Sequence, residues 1–189
     1  MDAKYNPDIH HRKSIRLKHY DYSQAGAYFI TICTHNRECL FGEIIDGKMA
    51  LNDAGQMVQA VWDEIPGNYD GVETDVFVIM PNHVHGIVVI VGAVPCACPN
   101  YGQPQHGQPR GVAPTVLSLP DVVHRFKTLS TKRYVDGVKQ HNWKSFDKKL
   151  WQRNYYEHIV RGETELNKIH GYIINNPLNW QTDDENPDR

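Results

Sequence analysis

The chain has 189 residues, a formal net charge of −2, and a composition that is 40% hydrophobic and 22% charged. These values belong to a folded domain with a packed core and exclude a disordered or collagen-like chain; the length suits one domain over residues 1–189. No segment approaches the ~18 consecutive apolar residues of a membrane-spanning helix. The polar, basic start MDAKYNPDIHHRKSIRLKHY carries no export signal, so a cytoplasmic protein with reduced Cys33, Cys39, Cys96 and Cys98 is expected.

Residues 1–20 carry five basic side chains against two acidic ones and read as a basic N-terminal arm. Tyr28 to Thr34 alternates β-branched and aromatic residues with period two, which predicts a strand. Residues 43–51 read as a hairpin turning at Asp46-Gly47. Asn52 or Asp53 then caps a helix with Met57, Val58, Val61, Trp62 and Ile65 on one face, ended by Pro66-Gly67. Residues 74–90 form two apolar strand runs flanking Pro81-Asn82. Residues 92–116, with five prolines and four glycines, read as a Pro/Gly-rich loop. A helix opens at Leu117 to Asp121 with Pro near its first position. Leu150 to Arg153 suggests a short strand, and a last helix runs from about Glu163 to before Pro177, with Leu166, Ile169, Ile173 and Ile174 on one face. The acidic tail, residues 181–189, is expected to be frayed. This order predicts an α+β sandwich, an antiparallel sheet packed by helices on one side, and disfavours a nucleotide-binding parallel sheet.

His83 and His85 flank Val84 on a strand, so both imidazoles leave the same face and can converge on one metal ion. Imidazole pairs alone favour zinc, iron or copper over magnesium, and leave the metal open. Cys96 and Cys98 offer a rival four-ligand zinc site, although Cys-x-Cys is a tight spacing for one. Farther along, Tyr155 and His158 would share a face if their segment is helical. A phenol of pKa about 10 attacks phosphorus only where a metal activates the phosphate. Residues 121–153 hold nine basic against three acidic residues, whereas residues 36–90 hold two against nine. The basic stretch, interleaved with Phe126, Tyr134, Trp143 and Trp151, suits a phosphate backbone and unstacked bases.

Met80-Pro81-Asn82-His83-Val84-His85-Gly86 resembles the His-hydrophobic-His ("HUH") motif of single-tyrosine transposases. Trp151 to Ile159 (WQRNYYEHI) resembles their tyrosine segment as found in REP-associated tyrosine transposases. Tyr20-Asp21-Tyr22 through Phe29, Arg37 to Gly42 and Tyr172 to Pro177 resemble the same subgroup. The resemblance implies a ferredoxin-like fold with a central antiparallel sheet and helices packed on it. It implies Mg²⁺ or Mn²⁺ held by His83 and His85, and a tyrosine that nicks and rejoins palindromic, hairpin-containing single-stranded DNA through a covalent 5′-phosphotyrosine. Tyr155 is the implied nucleophile, with Tyr156 as the runner-up. Insertion-sequence relatives take a third ligand from a Gln four residues after the tyrosine. Here that position is Ile159, so His158 is the substitute ligand. Arg12, Lys13, Arg16, Arg125, Lys127, Lys132, Arg133 and Arg153 are the expected DNA contacts. The protein would be a monomer or homodimer, nucleoid-associated when bound to DNA. A replication or mobilisation nickase, or a hairpin-binding protein that no longer cuts, are the alternatives.

Overall fold

A computed structural model describes residues 20–91 and 117–189. The expectations for Arg12, Lys13, Arg16, Cys96, Cys98 and the 92–116 loop lie outside the described residues. Strand β1 (Gly26–Cys33) starts the order, followed by a hairpin of β2 (Gly42–Ile45) and β3 (Lys48–Leu51). Helices α1 (Asp53–Asp63) and α2 (Ile65–Asn68) precede strands β4 (Val72–Ile79) and β5 (His83–Ile90). Helix α3 (Leu119–His141), strand β6 (Tyr156–Ile159), helix α4 (Glu163–Asn175) and a 3-10 segment (Asn176–Thr182) complete the chain.

The main sheet has the order β4-β5-β1-β6, with every neighbour antiparallel. The alternation of side chains in β1 and β5 sorts the core into two layers. Tyr28, Ile30, Ile32, Val84, Val88 and Ile90 face α1 and α3, where Val58, Trp62, Val122 and Phe126 meet them. Phe29 and Ile87 face the other way, onto Ile173, Leu166 and Ile169 of α4. Helices therefore cover both faces of the sheet, rather than one as the pattern of elements suggested. The α+β class and central antiparallel sheet are as expected.

Several local signals act as read. Asp46 (φ 50°) and Gly47 (φ 72°) both sit in the left-handed region that a two-residue hairpin turn requires. Asn52 caps α1 by accepting from the Gly55 N–H at 2.9 Å. The Asp121 carboxylate accepts from the Ser118 N–H at 3.0 Å at the start of α3. α1 ends at Asp63, ahead of Pro66-Gly67, and Pro66 sits in the first turn of the short α2 that follows, where a missing N–H costs nothing. As expected, α4 stops at Asn175, before Pro177, which sits at the second position of the 3-10 segment. The acidic tail is not frayed: Asn186 is buried, and its side chain donates to the Trp180 carbonyl at 3.0 Å.

Candidate active site

β5 is the inner strand that carries both histidines. In register with β1, His83 lies opposite Cys33 and His85 opposite Thr31. The same row continues from Thr31 to Tyr156 of β6. Behind His85, on the opposite face, Gly86 leaves room for the stacked rings of Trp62 and Phe77, 4.2 Å apart; a Cβ there would meet both at 2.8 Å. The turn before β5 is pinned as well, since the Pro81 carbonyl accepts from the N–H groups of Leu40 and Phe41 at 2.8 and 3.1 Å.

Both imidazoles are almost wholly buried, and their Nε2 atoms approach to 3.0 Å. Asn82 fixes the state of His83. Its Nδ2 donates to the carbonyls of Arg37 (3.1 Å) and Glu185 (2.6 Å), so Oδ1 must accept from His83 Nδ1 at 2.8 Å. The Nε2 of His83 is therefore a bare lone pair. Thr31 Oγ1 lies 2.8 Å from His85 Nδ1, and a hydroxyl can donate or accept. Without a metal, His85 Nε2–H donates to His83 and Thr31 donates to Nδ1. A cation between the rings would replace that proton, and Thr31 would turn to accept from Nδ1–H. Partners of this kind on the far ring nitrogen are what orient metal-binding histidines.

Burial, helped by the Arg37 guanidinium, lowers the pKa of His83 to about 3. Burial and His83 lower that of His85 to about 3, against the opposing pull of Asp183. Both rings are thus neutral and ligand-competent at physiological pH.

Oxygen donors come from the C-terminal stretch. The ligand atoms of His83, His85 and Asp183 all lie within 4.8 Å of one another. Asn176 is buried, and its Oδ1 has no hydrogen-bond partner among the described residues. An orphaned buried carbonyl oxygen is costly unless something electropositive meets it. Two imidazole nitrogens and a carboxylate oxygen fit a divalent cation of mixed nitrogen and oxygen preference, and Asn176 lines the same cavity as His85 and Asp183.

One turn before Asn176 on α4, the Tyr172 hydroxyl lies 3.5 Å from His85 Nε2. Burial and the Asp183 carboxylate raise its pKa, while a hydrogen bond from the Asn176 side chain opposes them. These groups share a cavity of about 690 Å³ with Phe29, Thr31 and Tyr156.

An uncharacterised protein of Haemophilus influenzae is 46% identical over 185 residues, spanning 97% of each chain. The chain belongs to its family. No family model matches the sequence. A REP-associated tyrosine transposase solved bound to a REP hairpin superposes with a TM-score of 0.53 at 16% identity, over 88% of this chain and 73% of that one. The two share a fold. A candidate transposase of Deinococcus radiodurans R1 aligns at a TM-score of 0.43 and 19% identity, over 86% of this chain and 97% of its own. That likeness is too loose to bear on the site.

Among the described residues singled out from sequence as metal ligands, His83 and His85 are brought together and His158 is not. The segment after Tyr155, whose helical form would have put Tyr155 and His158 on one face, is instead an edge strand, β6, so alternate side chains part company. Tyr155 is buried in the cluster under α3, with the Lys127 ammonium 5.3 Å from its ring centroid. It lies on the sheet face away from the histidines. Tyr156 is on their face and half exposed. His158 pairs with Glu165 at 2.8 Å instead of joining the histidines.

The basic stretch lies mainly on α3, in the layer opposite the site. There Lys127 donates to the carbonyls of Gln152 (2.9 Å) and Asn154 (3.1 Å). Arg133 forms a two-pronged ion pair with Glu64, and Arg125 lies over the Tyr69 ring. Lys132 and Arg153 are exposed. Sequence reasoning missed roles for Thr31, Asn82, Asn176 and Asp183. For Tyr172 and Asn176 a signal existed: they stand four apart, the tyrosine-to-ligand spacing of the insertion-sequence relatives, on one face of a predicted helix.

Proposed function

We propose that the protein is a metal-dependent, transposase-type nuclease that nicks and rejoins hairpin-containing single-stranded DNA, with Tyr172 as its nucleophile. One observation carries this reading: the two histidine Nε2 atoms, 3.0 Å apart, lie beside a phenol hydroxyl 3.5 Å from His85. The fold shared with a REP-associated tyrosine transposase bound to a REP hairpin supports it. His83, His85, Asp183 and the Asn176 carbonyl would hold Mn²⁺ or Mg²⁺. A divalent ion so bound supplies Lewis-acid polarisation of a phosphoryl oxygen.

The chain's own groups then do the following. α4 holds the Tyr172 oxygen against the cavity where a phosphate fits, which turns a bimolecular attack into a positioned one. The phenol oxygen bonds to phosphorus as the bond to the 3′ oxygen breaks. The phenol loses its proton, and the departing 3′ oxygen takes one up. One phosphodiester is exchanged for another, so the 5′-phosphotyrosine retains the bond energy and rejoining needs no nucleotide triphosphate. Asn82 and Thr31 keep both ring nitrogens aimed at the same point throughout.

The test is adduct formation with hairpin oligonucleotides bearing single-stranded flanks, in Mn²⁺. An SDS-stable protein–DNA adduct is expected for the parent chain and for Tyr156→Phe, and none for Tyr172→Phe. An adduct that survives Tyr172→Phe would overturn the assignment. Mn²⁺ and hairpin binding without any adduct would instead favour a hairpin-binding protein that does not cut.

A further inference from the structure

The cavity beside the histidines is much larger than a cation and its ligands need. At about 690 Å³ it falls in the size range of sites that enclose a small organic molecule. Its walls divide by chemistry. Asp183, Asp184, Glu185 and Arg189 supply charge beside His85, whereas Phe29, Tyr156 and Tyr172 supply aromatic surface, and Asn176 and Asn179 supply amides. Aromatic faces with amide edges recognise a flat, hydrogen-bonding ring such as a nucleobase.

Tyr156 is the most exposed of the aromatic residues lining the cavity. It is 52% exposed on the edge strand β6, and it meets Phe29 edge-on at 6.1 Å and 67°. Its neighbour Tyr155 is buried in the opposite layer and accounts for the core packing of this dipeptide. Tyr156 stands in one cross-strand row with Thr31 and His85. Two strand spacings separate it from His85, roughly 10 Å. A nucleotide whose phosphate sits at the histidines could therefore place an adjoining base against it.

We propose that Tyr156 is a stacking platform for the base adjoining the phosphate held at His83 and His85, and so a binding residue of the single-stranded segment. The inference rests on the nucleic-acid reading of the site given above, and on neither the identity of the nucleophile nor cutting. Stacking is tolerant of sequence, because every base has a π-face. The contact therefore orders the strand without choosing the hairpin.

The test measures binding of the full chain to a DNA hairpin flanked by oligo(dT) with single 2-aminopurines, in Ca²⁺ under conditions where no adduct forms, so that a divalent ion can occupy the histidine site while nothing is cut. Tyr156→Phe keeps the ring and is expected to bind within twofold of the parent. Tyr156→Leu, which keeps the apolar bulk, and Tyr156→Ala are expected to weaken binding about 5- to 100-fold, the range carried by stacking one base. Both should also lose the 2-aminopurine quenching at one flank position. Mn²⁺ affinity and thermal midpoint should hold in all three, which separates the effect from misfolding or a damaged metal site. Tyr156→Ala and Tyr156→Leu binding within twofold of the parent would overturn the platform. So would equal losses in Tyr156→Phe, which would assign the role to the hydroxyl. A parent that binds and quenches but forms no adduct in Mn²⁺ would sink the nuclease reading and uphold the platform. A parent that binds no DNA would overturn both.

Discussion

At the scale of single residues, the site depends on where two protons sit. Thr31→Val keeps the shape of the side chain but removes the hydroxyl that serves His85 Nδ1. A buried ring nitrogen then lacks its partner, which costs roughly 1–3 kcal/mol. Mn²⁺ affinity measured by calorimetry should fall by about 10- to 100-fold, the usual cost of losing an outer partner of a ligating histidine. Unchanged affinity would mean the hydroxyl does not orient the ring.

Acid should act through the same pair. Both folded-state pKa values are lowered to about 3 from 6.5. Between those values the unfolded chain binds protons that the native chain does not, so stability rises with pH through this window and is lost as pH falls below 6.5. In EDTA the urea midpoint should drop from pH 7 to pH 5, and His83→Asn with His85→Asn should flatten that slope. The His-x-His pair was legible in the sequence because strand geometry makes positions two apart converge. Asn82 was not: only the fold shows its amide spent on carbonyls 45 and 103 residues away.

At the scale of elements, most strands and helices were readable, since alternation and helical spacing are local properties. The stretch 154–160 was not, because a run of four paired residues looks alike in either state, and its β-form comes from β1 offering a free edge. That one decision puts Tyr155 in the layer away from the histidines, which is why the proposed nucleophile is sought on α4. What docks α4 is then a question of packing. Ile173 is fully buried against Phe29 and Ile87, and the His170–Asp75 hydrogen bond at 2.7 Å ties the helix to β4. Ile173→Ala should cost about 2–5 kcal/mol in global stability. Because it loosens the element that carries Tyr172, the rate of adduct formation should fall at temperatures where the chain is still folded. A full rate at full occupancy of the native state would show that α4 needs no such anchor. Lys127→Ala is the contrasting case. Its ammonium holds the turn before β6, so a loss of stability is expected with little change in the salt dependence of DNA binding.

At the scale of the whole molecule, the candidate site is gathered from distant parts of one chain. His83 and His85 come from the middle of the sheet, Tyr172 from α4, Asn176 from the start of the 3-10 segment and Asp183 from its C-terminal end. Composition along the sequence pointed elsewhere, toward the basic stretch, because it cannot show that α3 lies under the sheet and α4 over it. The connection from β6 to α4 is short, just Val160 to Gly162, and Val160 N–H is still paired to the Ala27 carbonyl at 2.9 Å. Glu165 accepts from His158 across this bend and is held below the usual carboxylate range, first by the Arg161 N–H and then by that histidine. A connection so short and so well tied keeps the tyrosine helix on its own sheet, so the reaction should proceed within one chain. Tyr172→Phe has the ligands without the nucleophile, and His83→Ala has the nucleophile without the ligands. Mixed in equal amounts, the two inactive variants should form no adduct in Mn²⁺. If α4 instead exchanges between two copies, the mixture would regain a measurable fraction of the parent's activity, and that recovery would overturn the one-chain site.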